Sequence, residues 1–64
     1  MTQKELLYVE DAIGHENNII MICEENLSMI SEEEISSFIE KELKKHTSMK
    51  EKLINFLEDK TNEW

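Results

Sequence analysis

The sequence predicts an all-α fold, an antiparallel two-helix hairpin that dimerises into a four-helix bundle, on three observations. First, 64 residues contain no proline and a single glycine, with 34% of residues charged. Little in such a chain breaks a helix, and much of it suits a solvent-facing helical surface. Second, two helix-start signatures stand about 29 residues apart, at Thr2 and at Ser31. Third, apolar residues recur three and four positions apart, the spacing that lines one side of a helix.

The first element opens at Thr2-Gln3-Lys4-Glu5. The Thr2 hydroxyl can accept from the Glu5 amide while the Glu5 carboxylate reaches back to the Thr2 amide, a capping box flanked by Met1 and Leu6. Helix 1 is predicted over about 3–28. Its seam is Leu6, Val9, Ile13, Ile20, Cys23, Leu27 and Ile30, a heptad pattern with one missing knob, where Glu16 stands. A turn follows at 29–31. The second element repeats the device, with Ser31 as cap, Glu34 as its reciprocal partner and the acidic run Glu32, Glu33, Glu34 at the positive end of the helix dipole. Helix 2 is predicted over about 32–60, with Lys60 to Trp64 fraying unless Trp64 finds a surface. Its seam is Ile35, Ile39, Met49, Leu53 and Phe56, interrupted by Glu42 and His46. Residues 14–18, Gly-His-Glu-Asn-Asn, hold no apolar side chain and have poor helix propensity. They leave open an alternative of three helices, with a break at this stretch.

A connection of about three residues makes the helices antiparallel neighbours. If the turn centres near 30–31, Glu16 lies opposite His46, with Glu42 one turn away. The three polar interruptions then converge in one layer. An unpartnered buried carboxylate costs several kcal/mol, so such a layer is either hydrogen-bonded internally or holds an ion. Glu42 and His46 project from one helix face, and carboxylate with imidazole suits iron, manganese or zinc. His15, one position off the seam, is a second-shell candidate beside Glu16. The competing reading is a polar layer that fixes register and orientation. Cys23, on the seam, reads as a small buried hydrophobe. Leu7, Tyr8, Ile19, Ile22, Phe38, Ile54 and Leu57 lie off the seam, and a lone hairpin would leave them largely in water, which predicts a homodimer.

Composition excludes several classes. Fifteen acidic residues against seven basic give a formal charge of −8, the wrong sign for nucleic acid or an anionic membrane. No apolar run approaches the roughly 20 residues of a membrane span, and the N-terminus lacks a signal-peptide core. One cysteine builds no disulfide framework. Residues 1–64 are read as one domain, without a nucleophile–base pair or phosphate loop, so hydrolytic or transferase chemistry is not expected and oxidase-like iron chemistry is the one enzymatic possibility kept.

Thr2-Gln3-Lys4-Glu5, Tyr8-Val9-Glu10-Asp11-Ala12, His15-Glu16, Ser37-Phe38-Ile39, and His46 ahead of Phe56-Leu57 together resemble the spore coat protein F-like family of spore-forming Firmicutes, over about residues 2–58. The resemblance implies a ferritin-like helical hairpin, a structural role in the spore coat or the cytoplasm of the sporulating cell, and other coat proteins as partners. Ferritin-like di-iron proteins place a glutamate on the first helix of a pair and Glu-x-x-His on the second. Glu16 matches the first and His46 the histidine, but Leu43 stands where the motif has glutamate, and Glu42 lies one residue earlier. The leading expectation is a non-catalytic structural or interaction protein. The alternatives are a ferritin-like metal-binding protein using Glu16, Glu42 and His46 with iron, manganese or zinc, and an acidic module that binds a basic partner.

Overall fold

The computed structural model describes residues 1–61 and contains two helices, α1 (Gln3–Met29) and α2 (Glu33–Thr61), packed side by side as an antiparallel hairpin. The Cα trace measures 48 × 15 × 12 Å, one helix pair in width. The expected boundaries hold to within a residue at each end, and the expectation concerning Trp64 lies outside the described residues. The expected fraying at Lys60 is not seen, because α2 continues through Thr61.

α1 begins with the capping box its sequence spells. The Glu5 amide donates to Thr2 Oγ1 at 3.1 Å, and the Thr2 amide donates to Glu5 Oε1 at 2.8 Å. The Thr2 backbone donor, seconded by the Thr2 hydroxyl, holds the Glu5 carboxyl below its ordinary value of 4.5. A depressed carboxyl stabilises the folded state above its unfolded pKa, and that contribution disappears as pH falls through the folded value. Acidification below about pH 4 is therefore expected to fray the first turn of α1 before the rest. Amide exchange at Glu5, rising ahead of exchange at mid-helix, checks this.

α1 runs unbroken through residues 14–18, so the three-helix alternative is not adopted. Packing overrides the local propensity there, because Glu16 is held against α2. Gly14 contributes nothing to that packing, since a Cβ built on it meets no atom within 4 Å. Gly14→Ala is expected to stabilise the hairpin by about 1 kcal/mol, the usual helix-interior difference. In a domain this small that raises the melting temperature by about 4–8 °C, read by circular dichroism.

The reversal takes residues 30–32 and uses no glycine and no positive φ. Ile30 caps α1 in an extended conformation (φ −96°, ψ 127°), its N–H donating to the Asn26 carbonyl at 3.0 Å. Ser36 Oγ reaches back to the Ile30 carbonyl at 3.4 Å, tying the first turn of α2 to the connection. The start of α2 differs from expectation. The Ser36 amide donates to the Glu32 carbonyl at 3.0 Å, so the helix closes on Glu32 and the Ser31–Glu34 capping box is not formed. Glu33 and Glu34 still face the positive end of the dipole, and Lys60 occupies the last turn.

The seam of α1 is as expected, with Leu6, Val9, Ile13, Ile20, Leu27 and Ile30 half-buried and Glu16 and Cys23 buried, but Ile19, expected off the seam, is half-buried too. The seam of α2 is turned by about one heptad column. Ile39, Leu43, His46, Lys50 and Leu53 face α1 together with Ile54 and Leu57, both expected off the seam, whereas Ile35, Met49 and Phe56, expected inside, are exposed on the flank. Thr47, also half-buried, satisfies its hydroxyl on the Leu43 carbonyl at 2.8 Å.

Among the described residues, no helix is long and apolar enough to cross a membrane. No large side chain is fully buried either.

Candidate functional site

Midway along the seam, where a core residue would be apolar, stands a carboxylate. Glu16 has only 11% of its side chain exposed, and its Oε2 lies 2.5 Å from His46 Nδ1 across the interface. An ionised carboxylate only accepts, so Nδ1 carries the hydrogen and donates it. The opposite ring nitrogen, Nε2, lies 3.6 Å from Glu42 Oε2, one helical turn earlier on α2. That is an ion-pair distance when the ring is protonated and too long for a hydrogen bond. Glu42 is 36% exposed and sits on the rim of the layer.

The helices produce this order simply. Residues four apart share a face of α2, so Glu42 and His46 stack along it. The hairpin register places Glu16 opposite His46, as the turn position predicts. No buried side-chain polar atom among the described residues lacks a partner. Within the layer Glu16 and His46 are hydrogen-bonded, and Glu42 stands beside the ring at ion-pair distance only. Imidazole is central because its two ring nitrogens lie at opposite edges of one small ring.

The same geometry tests the metal expectation. An ion shared by His46 and Glu16 would need ligand bonds of about 2.0–2.2 Å to each. The two donor atoms would then stand about 3 Å apart or more, with the ring nitrogen unprotonated. The two atoms instead stand in hydrogen-bond contact. Glu42 addresses the other ring nitrogen, so the two carboxylates are held apart by the imidazole rather than gathered on one point. Among the described residues, no group of three or more His, Cys, Asp or Glu is arranged to hold an ion. The residues converge as the sequence predicts, but their donor atoms do not.

His15 takes no part in the layer. It is exposed and hydrogen-bonds to none of the three, because neighbouring helix residues point about 100° apart. It lines a shallow polar groove with Glu10, Asp11, Gly14, Asn17 and Asn18, on the side of α1 away from α2. Cys23 is buried as a free thiol, two turns along α1 from Glu16. An open groove of about 520 Å³ at the opposite end from the turn is lined by Met1, Glu5, Tyr8, Val9, Phe56 and Lys60, with the Lys60 ammonium 5.8 Å from the Phe56 ring centroid. Sequence reasoning missed this groove because it placed Phe56 inside the seam.

Fold and site thus define a helical hairpin keyed by an internal carboxylate–histidine contact. No protein-family model matches the chain, and no curated protein or solved structure matches it.

Proposed function

We propose that this chain is a non-catalytic structural and interaction protein, a hairpin that self-associates into a four-helix bundle of ferritin-like design. The Glu16–His46 contact fixes how its helices meet. The observation that carries this is the makeup of the interior: among the described residues only Cys23 and Glu16 are buried, and Glu16 is answered by a histidine from the other helix. A core this thin does not support an independent fold of this size, and oligomerisation is one of the few devices that does. A single polar contact in an otherwise apolar seam is well suited to specify register, as lone polar residues do in coiled coils.

The resemblance to spore coat protein F-like sequences supports a place among coat components of a sporulating cell, with neighbouring coat proteins as further contacts.

Sedimentation equilibrium of the untagged wild-type chain tests the reading. The expected mass is twice 7.6 kDa at micromolar concentration. The melting temperature should rise with protein concentration and stay unchanged on adding iron, manganese or zinc. A concentration-independent monomer, or a metal-dependent rise reversed by chelator, would overturn it.

A further inference from the structure

The exposed apolar side chains are not scattered. On α1, Tyr8, Ile22 and Met29 occupy one heptad column, whose fourth position is His15. On α2, Ile35, Met49 and Phe56 occupy another, whose fourth position is Glu42, and Phe38 flanks it. In an antiparallel hairpin these two columns emerge on the same side, and the groove shared by Tyr8 and Phe56 confirms that they do. A second, strongly apolar groove, lined by Met49, Lys52, Leu53 and Phe56, lies on this side as well. Seven of the nine large exposed hydrophobics therefore share one face, and only Leu7 and Met21 point elsewhere.

We propose that this face docks a second copy of the same chain. The proposal rests on the self-associating reading above and adds which surface is used. Each helix of a four-helix bundle touches two neighbours and needs an apolar arc wider than a two-stranded seam. α1 has such an arc, four of its seven heptad columns, running from the Leu6–Ile13–Ile20–Leu27 column round to the column of Tyr8. The face is about 48 Å by 15 Å, on the order of 700 Å², close to the ~800 Å² that each partner contributes to a standard interface.

Charge also favours a copy over a basic partner. The chain carries −8 overall, yet this face is close to balanced: Glu42 and Asp59 share its α2 side with Lys45 and Lys52, and Glu5 lines its groove with Lys60. Glu10, Asp11, Glu24 and Glu25 occupy the other sides of α1. Two copies can therefore meet here without apposing their acidic surfaces.

Ile22 and Met21 provide a matched test, since both are 56% exposed and adjacent, one on the face and one off it. Ile22→Glu is expected to weaken self-association roughly tenfold or more, a buried-charge effect, while Met21→Glu leaves it unchanged, both read by sedimentation. Because Ile22→Glu could unfold a chain whose folding depends on assembly, a milder pair is added. Ile22→Cys and Met21→Cys, each in a Cys23→Ala background, are alkylated with a maleimide at high and at low protein concentration. Protection that appears at high concentration at residue 22 and not at 21 is the expected result. Protection at 21 alone, or at neither in a chain that still dimerises, places the interface elsewhere and leaves self-association standing. A wild-type chain that remains monomeric removes both.

Discussion

Replacing His46 with leucine is expected to destabilise the hairpin by about 2–3 kcal/mol. Removing one partner of a fully buried ion pair costs ~3–5 kcal/mol, because the other charge is left without compensation. Side-chain exposures of 11% for Glu16 and 17% for His46 let some water reach the stranded carboxylate and bring the loss below that range. For a domain whose total stability is on the order of 5 kcal/mol, this is severe, and the melting temperature should fall by about 10–20 °C. Glu42→Ala supplies the comparison. Its partner is 3.6 Å away and it is 36% exposed, so the loss should stay under about 1 kcal/mol. Urea unfolding of both variants at one fixed protein concentration reads the difference. Equal losses would mean that Glu16 does not depend on the histidine.

The double replacement Glu16→Leu with His46→Leu should reverse the destabilisation. Two apolar side chains of suitable size remove the desolvation cost of both polar groups, and such exchanges run from neutral to ~1–4 kcal/mol stabilising. The expected loss is one of uniqueness. With leucine at both positions the seam is apolar throughout, and nothing at its centre penalises a slide of one helix along the other. Amide spectra of the double variant should show more than one set of resonances, or sedimentation more than one species, while the melting temperature equals or exceeds that of wild type. A single well-dispersed set of resonances would show that register is held by side-chain shape alone.

The contrast between the two helices explains how much the sequence disclosed. α1 was legible because most of its apolar and polar residues sort to different sides: Val9, Cys23 and Ile30 share a column with Glu16, and a column on the far side holds Lys4, Asp11, Asn18 and Glu25. The register followed from the short turn, which brought Glu16 to His46. α2 was harder, because its apolar residues cover two adjoining faces. Ile35, Met49 and Phe56 are more hydrophobic than Ser36 and Lys50, yet the latter pair lies toward α1. Lysine can do this by burying its methylene stem while its ammonium reaches water. Hydrophobicity identifies a residue that avoids water but not which of two apolar surfaces shields it, so a helix with two such surfaces cannot be oriented by pattern alone. The rotation also explains the candidate site. Leu43 moved inward, Glu42 moved to the rim, and a set of three prospective ligands became a histidine flanked on opposite edges. The Ser31 cap failed for a more local reason, since the helix closes one residue later on Glu32.

The connection at residues 30–32 carries a last consequence. Many tight reversals are locked by a glycine in a conformation that other residues resist, so the bend persists whatever happens around it. Here every residue of the bend has ordinary backbone angles, and an extended Ile30 merely interrupts the helix. The fold-back is consequently a property of the long edge where the two arms touch, and it endures only while that edge stays zipped.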